Sequence, residues 1–215
     1  MNFKAVIFDM DGTTFDTESA YLDIFQSIIE KNGGKVSPSE LDQLIGKTSD
    51  QVVDFIVGVT NAGRGLVKKD FAITYVELLE SKGLALKEGM RNLLNYLKEN
   101  HIRVAMATSA ELALVELNFK HSELTLDEFE FVLTREDVVN PKPDKEVYDK
   151  AVKKLGLDAN ECLVIEDSAV GAMAGVNAGC VVAYVPEKNF PKGEIDDLVQ
   201  FRFENMNQIV DLLKN

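Results

Sequence analysis

Phe3-Lys4-Ala5-Val6-Ile7-Phe8-Asp9-Met10-Asp11-Gly12-Thr13 begins as an apolar, β-branched and aromatic run and stops at two aspartates one residue apart. A continuous apolar run reads as a strand covered on both faces, which puts Asp9 and Asp11 at its C-terminal end. Two carboxylates at i and i+2 repel each other there unless a cation, or a proton shared with a ligand, compensates. The plainer reading is an Asp-Gly turn with Asp11 as an ordinary turn residue. The repulsion favours a functional one.

Short apolar runs recur at residues 104–107, 129–133, 162–165 and 181–185, with amphipathic stretches between most of them. This pattern predicts an α/β fold: a Rossmann-like parallel sheet with crossover helices. The first gap is the exception, because nearly a hundred residues separate Phe8 from Val104 and one crossover helix needs far fewer. An inserted helical cap domain over residues 17–84 explains it, leaving a core domain of residues 1–16 and 85–215. Within the insert, helical spacing appears at 19–31, 50–57 and 67–79, with breaks at Gly33-Gly34, Ser37-Pro38 and 61–65. The chain crosses between core and cap twice, near 15–17 and 85–88, which predicts a hinge that closes the cap over the sheet ends. Residues 205–213 read as a terminal helix.

A formal charge of −13 disfavours a nucleic-acid partner, since phosphate-backbone binding relies on clustered Lys and Arg. The N-terminal apolar run is too short for a signal peptide or membrane span, so the expected location is cytoplasmic, with no membrane partner. Cys162 and Cys180 lie in or beside apolar runs and read as reduced core thiols.

Three further signals stand at strand ends or in their loops, where open parallel sheets place ligands. Glu166-Asp167 follows the run at 162–165 and adds two hard oxygen donors of the kind that suit Mg²⁺; alone, Asp167 or Ser168 would serve as a helix N-cap. Thr108-Ser109 follows the run at 104–107 and precedes a helix expected near Glu111, so a hydroxyl and terminal amides could face an anion. Lys142 lies between Pro141 and Pro143, which restrict the loop that carries its ammonium. Together with Asp9 and Asp11 these residues supply an anionic nucleophile, a second carboxylate, a cation site, a hydroxyl and a fixed ammonium. Phosphoryl transfer needs that set. A carboxylate needs no base to activate it, but it repels phosphate unless Mg²⁺ and a lysine neutralise the approach.

On Asp9-Met10-Asp11-Gly12-Thr13, Thr108-Ser109, Lys142 and Glu166-Asp167, in that order, the chain resembles the haloacid dehalogenase superfamily over essentially its whole length. Within that superfamily it is similar to the β-phosphoglucomutase-like group, with a helical cap after the first strand. The resemblance implies Asp9 as nucleophile, Asp11 as general acid/base, Thr108 as phosphate anchor and Lys142 as charge neutraliser. It further implies a metal site of Asp9, Glu166, Asp167 and the backbone carbonyl of Asp11, and a phosphate site of Gly12, Thr13, Thr108, Ser109, Ala110 and Lys142. The expected cofactor is Mg²⁺, and the expected substrate a small phosphate ester, sugar phosphates foremost.

Sugar-phosphate mutases of this group carry a histidine in the first cap helix and an arginine after a cap glycine, and here Tyr21 and Ser49 stand at those places. The missing guanidinium, well suited to bidentate phosphate binding, favours a phosphatase over a phosphomutase. Lys47, Lys68 and Lys69 are candidates for a substrate's distal charge, with a solvated face as the plainer reading. Gly63-Arg64-Gly65 reads as a turn between cap helices, and His101 and His121 as helix-end residues. A signalling receiver that is phosphorylated on aspartate without turnover is the alternative of another class; its shorter chain and lack of an insert weigh against it. Oligomeric state is not legible.

Overall fold

The structure is a computed structural model describing residues 3–45, 47, 49–186 and 191–214. The chain divides into two compact units, residues 1–16 with 85–215 and residues 17–84. It runs from β1 (Ala5–Phe8) into four helices of the second unit, α1 (Thr17–Lys31), α2 (Pro38–Asp42), α3 (Ser49–Val59) and α4 (Arg64–Lys82). It then returns through α5 (Met90–Glu99), β2 (Arg103–Ala107), α6 (Leu112–Lys120), β3 (Val132–Leu133) and α7 (Glu146–Leu155). The chain closes with β4 (Cys162–Glu166), α8 (Ala169–Asn177), β5 (Val181–Tyr184), β6 (Phe201–Arg202) and α9 (Met206–Lys214).

The six strands form one sheet in the order β3-β2-β1-β4-β5-β6, and every pairing is parallel. β1 is central and fully buried along its length, as expected of a strand with helices over both faces. Its register sets Phe8 beside Met106 of β2 and Ile165 of β4, so the segments after all three strands emerge together at one sheet edge. The order reverses on the two sides of β1, and such a switch point leaves room for a ligand at the strand C-termini. α5 shows why these helices pack on the sheet: Met90, Leu93, Leu94 and Leu97 form one buried stripe at helical spacing.

The run at 129–133 is strand only at Val132–Leu133. Its earlier residues still follow β2, with the Glu130 amide donating to Val104 and the Met106 amide to the Phe131 carbonyl. Phe129 packs edge-to-face on Phe8 and on Phe119. β6 was not expected. Two residues are too short for periodicity to register, and the strand exists through pairing with Ala183 and Tyr184.

In the second unit α1 and α4 bury Ile24, Phe25, Ile28, Val67 and Leu79. Asp70 is buried there and accepts from Lys31 Nζ at 2.7 Å and Asn32 Nδ2 at 3.1 Å. The Lys31 hydrogen bond, followed by that of Asn32, holds its carboxyl below the ordinary value despite burial. Two expectations are corrected. Ser37-Pro38 is the start of α2, with Ser37 at the N-cap and Pro38 inside the first turn, where the missing amide costs nothing. Gly63-Arg64-Gly65 is the start of α4, with Gly63 as N-cap and Arg64 paired to Asp50 at 2.6 Å and also to Asp54 of α3. No helix of the described residues is long and apolar enough to cross a membrane.

Candidate active site

β1 delivers Asp9 to the sheet edge. The Asp9 amide still donates to Ile165 of β4 at 3.0 Å, and the chain then folds back, with the Thr14 and Phe15 amides both returning to the Met10 carbonyl. Thr14 Oγ1 donates to the Asp9 carbonyl at 2.7 Å. Gly12 has φ +73°, and a Cβ there would lie 2.2 Å from Asp167 Oδ2. Glycine is therefore required both by the backbone conformation and by the carboxylate in that space. Thr13 Oγ1 donates to the other oxygen, Asp167 Oδ1, at 2.8 Å. Asp11 follows Asp9 by two residues, is half-buried and forms a backbone bridge with Phe15.

The buried Lys142 ammonium donates to Asp9 Oδ1 at 2.5 Å, Glu166 Oε1 at 2.6 Å and the Ala107 carbonyl at 3.0 Å. Three acceptors thus match its three donors. They come from the ends of β1, β4 and β2, so the lysine is fixed by the sheet. Its own loop is braced from below: the Glu146 carboxylate accepts from the Val139 and Asn140 amides at 3.0 and 2.8 Å and from Lys150 Nζ at 2.6 Å. Those bonds, the Lys150 one first, bring the Glu146 carboxyl down to about 2. Asn177 Nδ2 of α8 holds the Pro143 carbonyl at 3.1 Å.

Glu166 and Asp167 are neighbours with different surroundings. Glu166 Oε1 accepts from Lys142 and, at 2.7 Å, from the buried Tyr148 hydroxyl. Its Oε2 accepts from Ser168 Oγ at 3.1 Å. The carboxylate rests on Gly171, whose Cβ, if present, would lie 1.9 Å from Oε1. Ser168 is the N-cap of α8, its hydroxyl accepting from the Gly171 amide.

Asp9, Glu166 and Asp167 each offer a carboxylate oxygen, all within 4.8 Å of one another, and among the described residues no other such group of acidic, His or Cys side chains occurs. Burial first, then the Glu166 charge, pushes the Asp9 carboxyl well above its ordinary value, against the pull of Lys142. Burial followed by Glu166 takes Asp167 up to about 7. Burial works against the charge on Lys142, yet Asp9 and Glu166 outweigh it and raise its pKa. With all three acids ionised, the one ammonium bonded to two of them leaves two negative charges uncompensated, which a divalent cation with oxygen preference would match in charge and chemistry. The donor set fits such an ion. The Asp11 carboxylate is not among the three; the expectation for Asp11 concerned its backbone carbonyl.

Thr108 is buried just past β2, its amide bonded to the Leu133 carbonyl, and its Oγ1 accepts from the Ala110 amide at 3.0 Å. Ser109 is exposed and Ala110 half-buried. The helix amides expected to face an anion are corrected at Leu112, whose N–H is taken by the Glu136 carboxylate at 3.1 Å. In the helical unit, Tyr21 of α1 packs against Phe71 and Tyr75 of α4, with ring centroids 5.6 and 5.7 Å away. Ser49 opens α3 and is exposed, as are Lys47, Lys68 and Lys69; Lys68 lies 3.4 Å from Asp50. Tyr148, Glu146 and Gly171 escaped sequence reasoning. The first looks like an ordinary apolar-face residue of α7, the second like a surface acid, and only the tightness around Glu166 reveals the third.

Residues 6–185 match the haloacid dehalogenase-like hydrolases. Hexitol phosphatase A of Escherichia coli (strain K12) is 28% identical over 210 residues, which span 96% of this chain and 94% of that protein. The phosphorylated carbohydrates phosphatase of Thermotoga maritima is 28% identical over 185 residues, 82% of each chain. A hydrolase of the same family from Deinococcus radiodurans R1, solved with bound phosphate and sodium, superposes with a TM-score of 0.81 at 22% identity over 99% of this chain and 95% of that one. That last likeness is one of fold.

Proposed function

The chain belongs to the haloacid dehalogenase-like hydrolase family, and from that premise we propose that it is a Mg²⁺-dependent phosphatase of small phosphate esters, sugar phosphates foremost, working through a phosphoaspartate at Asp9. The observation that carries this reading is the Lys142 ammonium bonded to both Asp9 and Glu166 within a cluster of three carboxylates.

Asp9, Asp167 and the Asp11 carbonyl would hold the cation, with Glu166 beside it. When bound, Mg²⁺ supplies positive charge that offsets the repulsion between the Asp9 carboxylate and a phosphate dianion. Lys142 supplies the fixed ammonium for the same purpose, and Thr108 a hydroxyl for a phosphate oxygen. One Asp9 carboxylate oxygen attacks phosphorus, the ester P–O bond breaks, and the leaving oxygen takes a proton from the Asp11 carboxyl. The Asp11 carboxylate then takes a proton from water as that water attacks the phosphoaspartate; the acyl phosphate P–O bond breaks, releasing phosphate and restoring Asp9. Tyr21, tied into an aromatic cluster, and Ser49 offer no cation for a second phosphate, which supports hydrolysis over isomerisation. The names of the hexitol and carbohydrate phosphatases point the same way.

The test is a panel of phosphate esters with Mg²⁺, including β-glucose 1-phosphate with a trace of its bisphosphate, scoring free phosphate and isomerised product separately. Phosphate release that requires Mg²⁺ and disappears in Asp9→Asn is expected, because an amide is neither nucleophile nor anionic ligand. Full turnover by Asp9→Asn would overturn the mechanism. Efficient isomerisation with little free phosphate would overturn the choice of phosphatase and leave the Asp9 chemistry standing.

A further inference from the structure

Tyr148 is fully buried in α7, and it meets the site lysine in two ways. Its hydroxyl donates to the same oxygen, Glu166 Oε1, that accepts from Lys142 Nζ, at 2.7 and 2.6 Å. Its ring lies under that ammonium, 5.0 Å from Nζ to the ring centroid. We propose that Tyr148 is a positioning residue: by fixing Glu166 Oε1 and setting its ring against the Lys142 ammonium, it holds the ammonium on the nucleophile. This inference rests on the phosphoryl-transfer reading above.

The geometry explains why a hydroxyl is needed. A carboxylate with one strong donor on Oε1 turns to follow that donor, and a lysine stem is flexible, so the Lys142–Glu166 pair alone would have slack. The Tyr148 O–H sits on a rigid ring packed under the sheet and gives Oε1 a second, immobile donor. Ser168 Oγ at Oε2 and the missing Cβ of Gly171 confine the other side of the carboxylate. With Glu166 immobilised, the ammonium has one place in which to meet its three acceptors, and that place touches Asp9. A buried ring face also attracts the cation, so the aromatic ring and the hydroxyl act together. Tyr148 touches neither a reacting atom nor substrate in this scheme; it acts through Glu166.

The experiment is a double-mutant cycle of Tyr148→Phe and Glu166→Gln, read in kcat and KM on an ester that the wild type hydrolyses. Tyr148→Phe keeps the ring and removes the hydroxyl, and is expected to lower kcat by about tenfold or more while KM changes little. In the Glu166→Gln background the same change should cost less than about twofold, because aiming an uncharged amide no longer holds the ammonium. Equal cost in both backgrounds, or a loss confined to denaturation midpoint with kcat unchanged, would overturn the proposal in favour of a packing role. A second measurement needs no variant and no turnover: proton NMR of the ¹⁵N-labelled wild type should show a slowly exchanging Tyr148 hydroxyl with a cross-peak to the Lys142 ammonium. A Tyr148 hydroxyl in fast exchange would also overturn it. A wild type that hydrolyses no ester would overturn the phosphatase reading itself, and the inference with it; an active wild type without coupling removes only the inference.

Discussion

Asp9 and Asp11 are two residues apart and meet different surroundings. Asp9 is buried against Lys142 and two other acids, whereas Asp11 is half-buried in the loop that folds back on Met10. In the proposed mechanism these surroundings divide the labour, with the nucleophile held beside an ammonium and the proton carrier outside that cluster. Asp11→Asn is expected to leave phosphoenzyme formation from a good leaving group largely intact and to slow its hydrolysis by about 10²–10⁴-fold. Rapid-quench trapping should then find phosphoaspartate accumulating at Asp9. Retained first-step chemistry with no trapped intermediate would count against Asp11 as the base. Glu166 and Asp167 make the same point for adjacent positions: one accepts from a lysine, a tyrosine and a serine, the other from Thr13.

Among the elements, α8 bears on the site through a glycine. Gly171 lies in its first turn, and alanine is ordinarily the better helix former by about 1 kcal/mol. Here the added methyl would lie 1.9 Å from Glu166 Oε1, and that side chain is bonded to three partners, so it cannot yield without releasing Lys142. Gly171→Ala is expected to lose about 1–3 kcal/mol in chemical denaturation from overpacking and about 10–100-fold in kcat/KM from displaced Glu166. A stabilised variant with wild-type kinetics would show that the carboxylate has room to move. The loop before α7 illustrates a related device: Glu146, in the first turn of that helix, fixes the Val139 and Asn140 amides and so the approach to Lys142.

Across the molecule, the excess charge at the sheet edge couples stability, pH and metal. Burial and the Glu166 charge push the Asp167 carboxyl up to about 7, above the ordinary carboxylate range, and Asp9 is raised as well. Between the ordinary value and the raised one, the folded state keeps protons that the unfolded chain has released. Stability of the metal-free protein therefore falls as pH rises through that interval. A divalent cation bound by these carboxylates would replace those protons, so its stabilisation should grow with pH. Thermal melts with chelator and with saturating Mg²⁺, at about pH 5 and about pH 8, are expected to show the larger Mg²⁺-induced rise at the higher pH. A rise that is equal or larger at the lower pH would contradict the charge balance drawn here.

The strands that carry the site were legible because fully covered strands are written as apolar runs, and because carboxylates at their ends break that pattern conspicuously. Asp9 could be singled out on that ground, Glu166 and Asp167 once joined to it, and Lys142 by the two prolines around it. The sequence put them together at the strand ends, with the family resemblance, but carried no sign of the hydrogen bonds by which they meet. Lys142 reaches Asp9 across 133 positions and Thr13 reaches Asp167 across 154, contacts that exist only because β1 lies between β2 and β4. Tyr148 shows the limit most sharply: helical spacing marks it as an apolar-face residue, and nothing local distinguishes a tyrosine whose hydroxyl aims a carboxylate from one that merely fills the core. β6 and α2 were missed for a related reason, being too short for periodicity and formed by their neighbours or caps. By itself the sequence determined which residue types stand at the strand ends, since burial and charge are written residue by residue. The tertiary structure decided which of them share a hydrogen bond, since strand order and close packing across distant segments have no local signature.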